Sequence, residues 1–61
     1  MPKQYIIVEH DENDNVLYVY TERFNDIVDA EQKEASYIYG YTSYYEVIDE
    51  NDDVMTVKQI G

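Results

Sequence analysis

Along Lys3 to His10 the apolar side chains alternate, with Ile6 and Val8 on one side and Tyr5 and Ile7 on the other. Both sides are apolar, so this segment reads as a central strand rather than an edge strand. Asp11-Glu12-Asn13-Asp14-Asn15 breaks the alternation with turn formers. Val16 to Thr21 resumes it with β-branched and aromatic residues, Leu17 and Val19 on one face and Val16, Tyr18 and Tyr20 on the other. The two segments predict a β-hairpin.

The pattern returns near the end of the chain. Asp11 to Val19 reads DENDNVLYV and Asp49 to Val57 reads DENDDVMTV. A second hairpin is expected there, with strands Tyr44–Ile48 and Val54–Ile60. The repeat aligns Leu17 with Met55 and Val19 with Val57, which places those four on a shared buried face. It arises either by duplication of a hairpin or by one good turn sequence reached twice, and it is too short for a solenoid.

Between the hairpins the spacing predicts a helix over about Glu22 to Ile38. Phe24, Ile27, Val28, Ala35 and Ile38 form its apolar stripe, interrupted by Glu31. Thr21 or Asn25 can cap its start, and Gly40 stands where a C′ glycine would end it. The stretch Ser36 to Tyr41 also has strand propensity, so the helix either continues to Ile38 or stops near Ala35 with an extended piece after it. The whole predicts an α+β fold of ββαββ order. A four-stranded antiparallel sheet of two hairpins would carry the helix on one face and leave the other open and tyrosine-rich.

Composition adds constraints. Sixty-one residues allow a single small domain, over 1–61. Such a domain buries only about 60% of its unfolded surface and is marginal without a staple. Cysteine is absent, so no disulfide or thiolate site supplies one, and a second subunit or a bound partner becomes the expected support. No apolar run approaches the roughly 20 residues of a membrane span. Met1-Pro2-Lys3 leads straight into a strand pattern, so no leader is expected and a cytoplasmic setting is inferred.

Candidate chemistry narrows further. His10 is the only histidine and, beside Asp11, reads as a solvated turn residue. No Gly-x-Ser-x-Gly, Walker or glycine-rich phosphate loop occurs, so no enzyme and no cofactor are expected. Asp11-x-Asn13-x-Asn15 and Asp49-x-Asn51-x-Asp53 match the opening of a calcium loop. Val16 and Val54 stand where that loop needs glycine, so no metal is expected. Turn chemistry explains the same residues: Asp11 and Asp49 accept backbone N–H bonds, and Asp14 and Asp52 adopt left-handed geometry.

Fourteen acids against four bases give a net charge of −10, which excludes direct nucleic-acid binding by phosphate neutralisation. Glu22, Asp26 and Asp29 fall on one helical stripe, and Asp49, Glu50, Asp52 and Asp53 form a turn cluster. Tyr37, Tyr39 and Tyr41 lie in a tyrosine-dense segment suited to an interface. These ten are the expected partner-binding residues. In size and acidity the chain resembles the small DNA-mimic inhibitors that phages and mobile elements encode against host enzymes. The resemblance is of composition alone and assigns no residue roles. It implies a basic protein partner, plausibly a nucleic-acid-processing enzyme, whose site the acids would occupy. The alternative is a homodimeric accessory protein whose acidity serves solubility.

Overall fold

The computed structural model describes residues 1–60. Strand β1 (Lys3–His10) turns into β2 (Val16–Phe24); helix α1 (Ile27–Ala35) follows; β3 (Tyr44–Ile48) and β4 (Val54–Gln59) form the second hairpin. The four strands make one antiparallel sheet in the order β2-β1-β3-β4, so β1 is central as its two apolar faces require. The ββαββ expectation is met.

The two turn repeats fold alike. In the first, Asp11 Oδ1 accepts the N–H groups of Asn13 and Asn15 at 2.8 and 3.0 Å. In the second, Asp49 Oδ1 accepts those of Asn51 and Asp53 at 2.9 and 3.0 Å. Asp14 and Asp52 take the left-handed conformation, at φ 66° and 64°. Each turn is followed by a bulge, because the register jumps from Glu9↔Tyr18 to His10↔Val16 and from Val47↔Thr56 to Ile48↔Val54. The extra residues are Leu17 and Met55, which the repeat aligns. Bulges of this kind increase local twist. β1 and β3 pair antiparallel with Val8 opposite Glu46. A half-turn about an axis through that pair therefore carries one hairpin onto the other, and the two acidic turns sit at opposite ends of the sheet.

The core lies on one side only. Tyr5 and Ile7 of β1, Phe24 at the end of β2, Ala30 of the helix, and Tyr45 and Val47 of β3 are buried together. Leu17, Val19, Met55 and Val57 are not buried with them; they are 38, 50, 49 and 53% exposed. The expected burial of these four is thus corrected: Val19 and Val57 share the outer face, and Leu17 and Met55 are the unpaired bulge residues. Register decides this: Ile7 stands between Tyr20 and Val47, which puts the odd-numbered β1 positions under the helix and sends Val8, Val19 and Val57 outward.

The helix is shorter than the sequence pattern suggests. Phe24 belongs to β2, and counting from it set the wrong helical phase. The inward residues are Ala30 and Glu34, with Ile27 and Glu31 half-buried, whereas Val28 and Ala35 face solvent. Asp26, rather than Thr21 or Asn25, caps the start by accepting the Asp29 N–H at 3.0 Å. Ser36 closes the end, its hydroxyl donating to the Lys33 carbonyl at 2.7 Å. Gly40 lies further on, in a second turn, and residues 36–43 are neither helix nor strand.

The left-handed turn positions give a direct test. Asp14→Val and Asp52→Val should each lower stability by about 1–2 kcal/mol, because a β-branched residue is strained at positive φ. Glycine at either position should be nearly neutral. Urea midpoints of the four variants report the difference.

Candidate functional site

Two sides of the sheet must be compared, and the tyrosines come first. The inward positions of β2 are Tyr18, Tyr20 and Glu22, set by their pairing with Glu9, Ile7 and Tyr5. The tyrosines are therefore on the helix side, and the expected tyrosine-rich open face is corrected. The sequence concealed this because both faces of β2 are apolar. Residues 36–39 fold back over β2. Tyr39 meets Tyr18 edge to face at 5.3 Å, Tyr37 meets Tyr20 edge to face at 5.9 Å, and Tyr18 and Tyr20 lie 5.5 Å apart. A shallow cleft lies among these four rings, with Glu22 on its rim. Tyr41 stands apart, 86% exposed.

Beneath the tyrosines sit two carboxyl groups that the sequence did not single out. Glu9 and Glu34 are both fully buried. Glu9 Oε1 accepts the Thr42 hydroxyl at 2.5 Å and the Tyr39 N–H at 3.2 Å. Glu34 Oε1 accepts the Tyr20 hydroxyl at 3.0 Å. The second oxygen of each has no donor among the described residues. Burial pushes the Glu34 carboxyl up to about 7; a hydrogen bond to Glu9 and the Glu9 charge add to this, and the Tyr20 hydroxyl opposes it. Burial and a neighbouring carboxyl group both disfavour charge on Glu34, which is the direction of its shift. Burial and Glu34 hold the Tyr20 hydroxyl far above its ordinary range, so it stays a donor. A signal was present in the sequence: Glu9 alternates with Tyr5 and Ile7, and Glu34 lies four residues after Ala30.

His10 is not a solvated turn residue. It is 8% exposed, stacked on Tyr44 at 4.5 Å, with Nε2 2.6 Å from Glu46 Oε1. The alternation of β1 puts it on the open face with Val8, opposite Tyr44.

The expected acidic stripe Glu22, Asp26, Asp29 does not form. Glu22 is in β2 and pairs with Lys33 at 2.7 Å; Asp26 is the helix cap; Asp29 is in the first helical turn. Asp49, Glu50, Asp52 and Asp53 occupy the second turn, with Asp49 engaged by backbone N–H groups. Asp11 plays the same part in the first turn, where bonds from Asn15 and Asn13 hold its carboxyl below the usual range. The structure thus brings Tyr37 and Tyr39 together, and separately the four acids of the second turn. It does not join the two groups into one surface. Among the described residues no cluster of three or more His, Cys, Asp or Glu is arranged to hold a metal ion.

The open face is largely aliphatic at its centre. Register places Ile6 and Val8, Val19, Ile48 and Val57 there, with Thr21, Arg23, Gln59, Tyr44 and the His10–Glu46 pair. Of the strand-borne acids, Glu9 and Glu22 face the helix, and only Glu46 faces this side. No helix is long and apolar enough to cross a membrane among the described residues. In comparisons with known proteins, no family model, no curated protein and no solved structure matches the chain.

The carboxyl pair predicts a pH profile. The folded-state value for Glu34 lies above its ordinary 4.5, so the folded chain holds the proton more tightly than the unfolded chain. Stability is then highest near and below pH 4.5 as far as this group is concerned. It falls as pH rises through about 7, by up to roughly 3 kcal/mol. Glu34→Gln should remove that fall and be the more stable protein at pH 8. Urea unfolding of both proteins at pH 5 and pH 8 measures it; parallel profiles would refute the raised Glu34 value.

Proposed function

We propose that the chain is a non-enzymatic protein-binding module whose open sheet face docks on a partner with an apolar centre and basic flanks. The observation that carries this is the segregation of charge. Val8, Val19 and Val57 share a face whose one acid is already paired with His10, while the acidic turns stand at the two ends of a molecule 35 Å long. An exposed apolar patch rimmed by polar groups marks an interaction site. Its centre supplies buried area and its charged rim steers the encounter. Glu46 and His10, hydrogen-bonded to each other, would enter the interface as a pair.

A basic protein is the partner such a rim selects, and a nucleic-acid-processing enzyme of the cytoplasm has the required basic site. An inhibitor of phage or mobile-element origin that stands in for DNA is the form of this function we favour. Duplex DNA carries about one charge per 1.7 Å, so carboxylates at both ends of the sheet would meet a basic cleft at two places rather than along a continuous line. The absence of a deep pocket suits binding rather than turnover: the clefts are open, and the single histidine is committed to Glu46.

A second reading is favoured by the half-turn symmetry of the same face, which suits pairing of two copies across their aliphatic centres. Salt separates the two. Two copies at net −10 repel, so a dimer tightens as salt rises, whereas a complex with a basic protein weakens. Val19→Asp and Val57→Asp place a charge at positions half exposed in the folded chain, and each should abolish the interaction while leaving the fold intact. Sedimentation of the chain alone, and pull-down of basic proteins at low and high salt with these variants beside the wild type, check both outcomes. Binding that neither variant alters would exclude the open face.

A further inference from the structure

We propose that the tyrosine cleft on the helix side is a second binding site, one that takes a guanidinium side chain of an arginine presented by a protein or peptide. This deepens the reading of the chain as a binder of basic proteins, and it places a contact on the side opposite the aliphatic face.

The cleft has the form of an open box of about 500 Å³. Tyr18 and Tyr20 make its floor. Tyr39 and Tyr37 stand nearly perpendicular to those rings, at 90° and 86°. A flat cation lying on such a floor meets the negative faces of aromatic rings, the arrangement by which proteins hold guanidinium and ammonium groups. The rings cannot take up that charge themselves, since the Tyr20 hydroxyl remains protonated and donates inward to Glu34.

The second observation lies under the floor. Glu9 and Glu34 are two fully buried carboxyl groups. No cation touches them: the ion pairs among the described residues are His10–Glu46 and Lys33–Glu22. Each carboxyl has an oxygen without a hydrogen-bond partner among the described residues. Both are tied to the box, Glu34 through the Tyr20 hydroxyl and Glu9 through the Tyr39 N–H. Buried carboxyl groups without a basic partner favour a cation at the surface they are tied to, here the cleft. The chain already shows the preference in miniature. Its own Lys33 ammonium sits 5.6 Å from the Tyr37 ring centre while it pairs with Glu22 on the rim. Lys33 thereby cancels Glu22, so the attraction left for an incoming guanidinium comes from the rings and the carboxyl pair. Arginine suits this better than lysine, because its planar, weakly hydrated group stacks on aromatic faces.

The test uses a short, otherwise uncharged peptide bearing one arginine, and a matched peptide with citrulline, which has the same shape and no charge. Aromatic NMR signals of the intact chain are followed during titration. The arginine peptide should shift Tyr18, Tyr20, Tyr37 and Tyr39 saturably, and the citrulline peptide should bind at least about fivefold more weakly. Tyr39→Leu should remove the response, and Tyr41→Leu, outside the cleft, should leave it unchanged. The backbone spectrum of each variant reports whether it remains folded. Equal binding of the two peptides, or no saturable shift at the four rings, overturns the proposal. Shifts confined to Val19 and Val57 overturn it too, yet would support the open aliphatic face as the partner site, so the two readings fail separately.

Discussion

The two buried carboxyl groups of Glu9 and Glu34 organise the helix side of this small domain. Glu9 belongs to the central strand and Glu34 to the last turn of the helix, so each ties its element into the same buried region. The outer oxygens recruit the rest. Thr42 and the Tyr39 backbone tie down residues 36–43, and Tyr20 ties in the edge strand. A core with six buried apolar side chains has little area to hold so short a helix. A polar contact at its centre adds direction, since it fixes how the helix is turned as well as where it lies. The cost is a carboxyl group, Glu34, that burial holds above its ordinary range.

Electrostatics and apolar surface are sorted onto different parts of the molecule. Most of the acids lie in turns, at the helix start or on the helix. There solvent screens them, and several act in backbone bonding. The open face keeps the His10–Glu46 pair and Tyr44 beside an aliphatic centre; the helix face keeps the tyrosines of β2 and of residues 37–39. High net charge usually opposes compactness. Here the charges that could repel most, in the two turns, are kept a sheet's length apart by the antiparallel pairing of β1 with β3. The acidity is therefore compatible with a fold that has no cysteine to form a disulfide.

Much of the architecture was legible from alternation and turn chemistry. Lys3–His10 and Tyr44–Ile48 have the bounds the pattern predicts, and Asp14 and Asp52 take the left-handed geometry expected of them. What misled was the choice of face. Tyr18 and Tyr20 against Leu17 and Val19 are two apolar sets on one edge strand, and composition does not rank them; only pairing with Ile7 does. The helix was misphased by Phe24, which ends a strand, and the same error drew Glu22 into a helical stripe. Glu9 and Glu34 were passed over because a charged residue in a core has no favourable reading until its partner is known. The distance in sequence between them hid that partner.

The half-turn relation between the hairpins has a consequence for recognition. A face that repeats itself about the Val8–Glu46 axis offers a partner two poses of nearly equal shape, reversed end for end. Several exchanges break the symmetry: His10 stands where Ile48 does on the other side, Tyr44 where Ile6 does, and Glu46 where Val8 does. Which way round a guest sits is therefore decided by the stacked His10–Tyr44 pair at one end of the β1–β3 seam against Ile6 and Ile48 at the other.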